Sequence, residues 1–291
     1  MKLQKLLILL IAVMVLVTTS DQVLRAQATP SGPGSPAGQP GWGGGKVYQD
    51  MTQVERNMFI AGQSRRIARD MSGSEYEFTP AFEADIQQEV NRYARRLGNG
   101  GGDRLWKGDA RFIFERGQSQ AATLIAAFRA RNVSPLIGLY IPWIESEYVN
   151  IDRPNVVGAL GMFQFLPKTG DHYGLSVQDL LDVEKSADAA ARYITDSLEI
   201  FKGDPMKEAL ALLSYNRGTK QTARDLKLLV NDQNRQCSIC ALNANRGELD
   251  GTFQNENVYY VPRFFAAAIV GENPQAFGLQ MQPLSSLAAK P

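Results

Sequence analysis

Leu136 to Ile144 reads LIGLYIPWI, nine almost wholly apolar residues, and Glu145 follows directly. A carboxyl group carried on such a segment loses part of its hydration, holds its proton more tightly and is suited to act as a general acid near neutral pH. Glu147, two positions on, points about 200° round a helix and is the weaker candidate. Beyond the acid, a turn-rich stretch from Asp152 runs through Gly158 to Gly161-Met162-Phe163-Gln164, where glycine lets backbone approach closely. The alternative reading of Glu145 is a buried, hydrogen-bonded structural acid.

The surroundings of this stretch are helical. Thr79-Pro80 is an N-cap followed by proline at the first helical position, with Glu83 and Asp85 where negative charge suits the helix dipole. Phe82, Ile86, Val90, Tyr93 and Leu97 then recur at spacings of four and three up to Gly98, the pattern of an amphipathic helix. A helix is also expected over Val54 to Met71, and one or two over Leu105 to Arg131, interrupted near Gly108 and Gly117. Ser134-Pro135 starts the segment that carries Glu145, and Pro142 predicts a kink or a fresh start there. Later helices are expected from Ser186 as cap to Phe201, over MKEALALLSYN up to Gly218, over Gln221 to Val230, and from Asn257 to Val270. Residues 231–254 read as a long loop, the tail from Gln275 shows no strong pattern, and any strand is confined to the 150s. The fold class is therefore mostly α.

An apolar content of 44% in 291 residues is ample for a core. Lys2 and Lys5 precede an unbroken apolar run from Leu6 to Val17, and Ala26-Gln27-Ala28 has the small-x-small form of a signal peptidase site. Residues 1–28 are expected to be an export signal. Cleavage nearer Ser20, and retention as an amino-terminal anchor giving membrane association, are the alternatives; twelve residues are short for a full span. Residues 29–45, rich in Pro and Gly, read as a linker. The net charge is +1, and removing the first 28 residues, which hold Lys2, Lys5 and Arg25 against Asp21, leaves −1. Such a balance argues against a nucleic-acid partner. Cys237 and Cys240, spaced C-x-x-C, are expected as a disulfide in an exported chain. No metal or other cofactor is expected, because His172 is the sole histidine and no second ligand pair exists.

Four blocks, in order, resemble a known family. They are IPWIESEY from Ile141 to Tyr148, GALGMFQFLP from Gly158 to Pro167, LLSYNRG from Leu212 to Gly218, and YVPRFFA from Tyr260 to Ala266. Together they look like a lytic transglycosylase of the soluble-lytic-transglycosylase type, related to goose-type lysozyme and most similar to the membrane-bound lytic murein transglycosylase D type. The resemblance implies a lysozyme-like helical catalytic domain over 134–275, with an amino-terminal helical extension over 46–133 packed on it and a tail over 276–291. It also implies that Glu145 is the catalytic acid and base of a glycan-cleaving lyase in the periplasm or cell envelope. Such an enzyme cleaves the MurNAc-GlcNAc bond of a peptidoglycan strand without water and leaves 1,6-anhydro ends; protein partners are not indicated. One carboxylate then suffices, where ordinary glycoside hydrolysis needs two.

By the same resemblance Gln164 and Asn216 are expected to hydrogen-bond the sugars, Met162 and Phe163 to form an apolar wall, and Tyr215 and Tyr260 to border the cleft. Core packing is the alternative for the aromatic residues and Met162. The sequence departs from the family pattern at Asn155, where many members carry Ser, at Phe163 in place of Trp or Met, and at Ser214 in place of Ala. Two other functions stay open from the residues: a hydrolytic muramidase or chitinase, for which Asp152, Asp171 and Asp182 are available by composition, and a non-catalytic glycan-binding scaffold.

Overall fold

The computed structural model describes residues 45–287; the expected export signal and all of the linker but Gly45 lie outside them. Helix starts follow local chemistry. Thr52 and Glu55 form a reciprocal capping box at the head of α1 (Gln53–Ser72), which ends at Gly73 in the left-handed conformation. Thr79 accepts from the Phe82 N–H to start α2 (Pro80–Arg96). Helix α3 spans Arg111–Ala130 and α4 spans Pro135–Ser146. The next helices are α5 (Pro167–His172), α6 (Val183–Ile200), α7 (Lys207–Arg217), α8 (Thr219–Leu229), α9 (Ser238–Ala244), α10 (Gly251–Asn255) and α11 (Tyr260–Glu272). Among the described residues no strand forms, and sheet-type pairing is limited to one antiparallel bridge between Leu160 and Phe165.

Several sequence expectations are corrected. Helix α3 starts at Arg111, after the residues around Gly108, and runs through Gly117 unbroken. Gly117 is there for close packing: a Cβ at that position would come 2.7 Å from Cε2 of Tyr148. Asp182, not Ser186, caps α6, accepting from the Lys185 N–H, while Ser186 lies inside the helix and bonds the Val183 carbonyl. Residues 231–254 are no simple loop. They contain α9, start α10 through the Asp250 cap, and bury Ile239, Leu242 and Phe253; seven- and five-residue helices are too short for a period to show. Cys237 and Cys240 are joined by a disulfide at the head of this segment. The last helix starts at Tyr260, after a 3-10 turn over Asn257–Tyr259, and runs past Gly271 to Glu272. Leu284 in the tail is fully buried, and its turn packs on α3 and α4.

Helix α4 is buried on almost every side, as its composition demands. It packs against α3 and α11, while α11 in turn contacts α1, α2 and α7, and α3 contacts α6. Trp143 sits at the centre, meeting Tyr93 and Phe114 edge-on and Tyr140 at a tilt. The tight packing keeps α4 helical through Pro142, which neither starts nor breaks it. Apart from Pro135 at its start, only Ile144 and Glu145, on its last turn, reach the surface.

Candidate active site

Just after Glu145 the chain turns sharply, with Glu147 and Tyr148 both at positive φ (49° and 61°). Such conformations cost about 1–3 kcal/mol each and persist only where the surroundings fix them. Here the Glu147 carboxylate accepts two bonds from Arg96, at 2.5 and 3.2 Å, and one from the Trp106 N–H at 3.1 Å, while Tyr148 Oη donates to the Leu139 carbonyl at 2.7 Å. Ser146 Oγ donates to the Met162 carbonyl at 2.7 Å and so ties the turn to the second block. Glu147 is thus a structural acid, and the turn it holds presents Glu145 to a groove.

That groove is a cleft of about 690 Å³. Glu145 is half-buried in its floor and accepts a hydrogen bond from Tyr260 Oη at 2.7 Å. Burial pushes the carboxyl up to about 7; the Tyr260 bond and Arg263 pull the other way, and the charge of Glu256 adds to the rise. Its place at the C-terminal end of α4, where the helix dipole is negative, also favours the neutral acid. A carboxyl so poised can give up a proton and take one back near neutral pH.

Gln164, Tyr215 and Asn216 line the same cleft. Gln164 adopts φ 49° and donates from Nε2 to the Gly161 carbonyl at 2.8 Å, which leaves its side-chain oxygen for the groove. Tyr215 Oη donates to the Phe163 carbonyl at 2.9 Å. Asn216 is oriented from behind: Asn257 Nδ2 donates to its Oδ1 at 2.5 Å, and its own Nδ2 donates to Glu256 Oε1 at 3.2 Å. Asn257 in turn accepts from Arg217, a buried guanidinium held between Asp225 and Asp250. Tyr260 is buried behind Glu145 and reaches the site through its hydroxyl. Asn155 also lines the cleft, with its Oδ1 taken by the Val157 and Ala159 N–H groups.

Met162 and Phe163 do not form the expected sugar-facing wall. Both are buried, with Phe163 stacked between Phe128 and Phe165, and they contribute only backbone carbonyls that anchor Ser146 and Tyr215. At the positive φ of Gln164 its own side chain faces the cleft, while Met162 and Phe163 before it and Phe165 after it point into the core. The apolar lining comes from Ile144, Val157 and Leu166, together with the exposed indole of Trp106. Trp106, Glu256 and Arg263 are cleft residues that the sequence reading missed. A tryptophan stranded in a polar, glycine-rich loop was the one available signal, along with Arg263 inside the fourth block. His172 is exposed and away from the cleft, edge-on to Tyr173.

A helical domain whose buried central helix delivers one acid to the floor of an open groove has the arrangement of a lysozyme-like fold. Residues 123–236 match the family model described as Transglycosylase SLT domain. The match supports lytic transglycosylase activity on peptidoglycan as the general function. It begins inside α3 and includes Glu145, Gln164, Tyr215 and Asn216, while Glu256, Tyr260 and Arg263 complete the cleft from beyond its end. No curated protein matches the chain.

Proposed function

We propose that the chain cleaves the β-1,4 bond between N-acetylmuramic acid and N-acetylglucosamine without water, with Glu145 serving first as acid and then as base. The observation that carries this reading is the Glu145 carboxyl itself, half-buried, raised to about 7 and held by Tyr260 in a groove lined with sugar-sized apolar and amide surfaces. Protonated Glu145 gives its proton to the glycosidic oxygen as the C1–O bond breaks. Positive charge develops at C1 and is stabilised by the substrate's own N-acetyl group. The Glu145 carboxylate, stabilised by the Tyr260 hydroxyl, then removes the proton from the C6 hydroxyl as that oxygen bonds to C1. A 1,6-anhydro end results, and Glu145 is protonated again. Gln164 and Asn216 hold acetamido and hydroxyl groups, and Trp106 with Leu166 offers apolar faces to the rings.

Residues 1–28 direct the chain out of the cytoplasm to the peptidoglycan in this reading, and no helix among the described residues is long and apolar enough to cross a membrane. The likeness to the D type rests on the four sequence blocks together with the helices that precede them.

A hydrolytic reading gains one observation. Asp152, Asp171 and Asp182 do not line the cleft, but Glu256 does, and a second carboxylate could activate water. Mass spectrometry of the products released from purified peptidoglycan separates the two. Anhydro ends are expected; reducing ends would transfer the assignment to hydrolysis with Glu256 as base, and binding without any product would leave a glycan-binding scaffold.

A further inference from the structure

Past Trp106 the cleft opens into a second cavity of about 310 Å³, and Trp106, Ile144 and Arg263 line both. Its remaining walls are Glu89, Arg92, Tyr93 and Arg96 of α2, with Glu147 after α4. Charge is sorted by depth here. The Glu89 and Glu147 side chains lie behind, 4% and 1% exposed, whereas Arg92 and Arg263 reach solvent at 45% and 39%. Glu147 is engaged by Arg96 and Arg116. Glu89 holds Arg92 at 2.9 Å but Arg263 only at 3.7 Å, beyond hydrogen-bond reach. The Arg263 guanidinium otherwise lies over the Tyr259 ring, 5.7 Å from its centre, with its donors open to the cavity.

The surface offered to a ligand is therefore guanidinium, next to the turn that carries Glu145. Arginine forks pair with planar anions through two parallel hydrogen bonds, and a carboxylate is the group that fits. Ile144 lines this cavity and Glu145 follows it in the chain, so a sugar whose C1 lies at Glu145 has one edge beside the opening. In peptidoglycan that sugar carries a peptide with free carboxylates, branching from the lactyl ether at C3.

We propose that the second cavity binds a carboxylate of this peptide stem, with Arg263 and Arg92 as its ligands, an assignment that rests on the glycan-cleaving reading of the cleft. Both arginines lie outside the segment matched by the family model, so stem recognition is supplied by the helices that flank it.

The test compares soluble glycan strands of equal length that either carry peptide stems or have been stripped of them by an amidase. Wild type, Arg92→Ala and Arg263→Gln are assayed on both after melting curves establish that each is folded. Wild type is expected to show kcat/KM about tenfold higher on stem-bearing strands, the worth of a charge-assisted hydrogen bond, mostly through KM. In each variant the ratio is expected to fall to within about twofold of unity. An unchanged ratio in both variants, or a wild type indifferent to stems, overturns the proposal. Should wild type cleave neither substrate, the lytic reading fails on its own, and calorimetric titration with a stem-bearing muropeptide then decides: binding weakened about tenfold by Arg263→Gln upholds the stem site, and equal binding rejects it.

Discussion

Tyr260 Oη donates to Glu145 Oε1 at 2.7 Å, joining the first residue of α11 to the last turn of α4. The bond does two opposed things. It favours the carboxylate and so lowers the Glu145 pKa that burial raises, and it stabilises the charge that Glu145 acquires once its proton has gone to the leaving oxygen.

Tyr260→Phe therefore separates the two effects. Without the hydroxyl, the alkaline limb of kcat/KM is expected to move to higher pH, because the acid is held more tightly. The plateau is expected to fall about tenfold or more, the loss of a hydrogen bond to a charged group. A pH–rate profile of the variant checks both; a plateau loss with no shift of the limb would mean that Tyr260 acts by packing alone.

For the wild type, the general acid must be protonated. The rate is thus expected to fall as pH rises through about 7, where Glu145 ionises, by about tenfold per pH unit beyond it. A profile measured on a soluble glycan strand, which avoids pH effects on intact cell-wall material, reads this limb directly.

Glu145→Gln is expected to lower the rate of anhydro-product formation by about 10³-fold or more while raising stability at alkaline pH. The sign follows from linkage. The folded pKa is near 7 against an ordinary 4.5, so the native state binds more protons between these values and stability drains away as pH climbs through that window. The gain for the amide is therefore absent at pH 4 and amounts to ~2 kcal/mol at pH 8, allowing for the solvent-facing edge of the carboxyl. Paired denaturant titrations at the two pH values test it; equal gains at both would place the effect elsewhere.

Much of this was legible locally. Thr79-Pro80, Phe82 and Ile86 announce α2 because caps and period depend on neighbours in sequence, and Glu145 stands out because the residues before it are apolar. The corrections have a common origin in what distant segments do. Met162 and Phe163 read as cleft wall or core with equal right until the Gln164 turn decides their direction. Arg263 comes to the cleft because α11 packs on α4, Glu256 reaches it from the end of α10, and Trp106 has its backbone N–H held by the Glu147 carboxylate. Gly117 read as a break since sequence cannot show the Tyr148 ring that lies against it.

Trp106 is the most exposed aromatic surface of the cleft and carries little of the core. Trp106→Ala is expected to raise KM for glycan strands about tenfold, the worth of one sugar-facing ring, with kcat and melting temperature nearly unchanged. Steady-state kinetics on strands of graded length checks this; a fall in kcat with KM intact would instead mean that the ring orders the Glu145 turn.

The role of Glu147 sets the last expectation. Its carboxylate lies buried between Arg96 and Arg116 and also holds the Trp106 N–H, and Glu147 is itself the first of two consecutive residues in left-handed backbone. A buried ion pair adds little net stability over an apolar replacement, but removing one partner strands the other in a poorly hydrated site at about 3–5 kcal/mol. Arg96→Ala should therefore destabilise the fold by roughly that amount. Glu147→Gln keeps the shape and one acceptor oxygen, so a smaller loss of about 2 kcal/mol is expected, with the turn loosened. Because that turn aims Glu145, activity should drop in Glu147→Gln even at temperatures where the protein stays fully folded, with kcat affected more than KM. Parallel melting curves and kinetics at 20 °C or below the transition decide the point: activity that tracks only the folded fraction would confine Glu147 to stability.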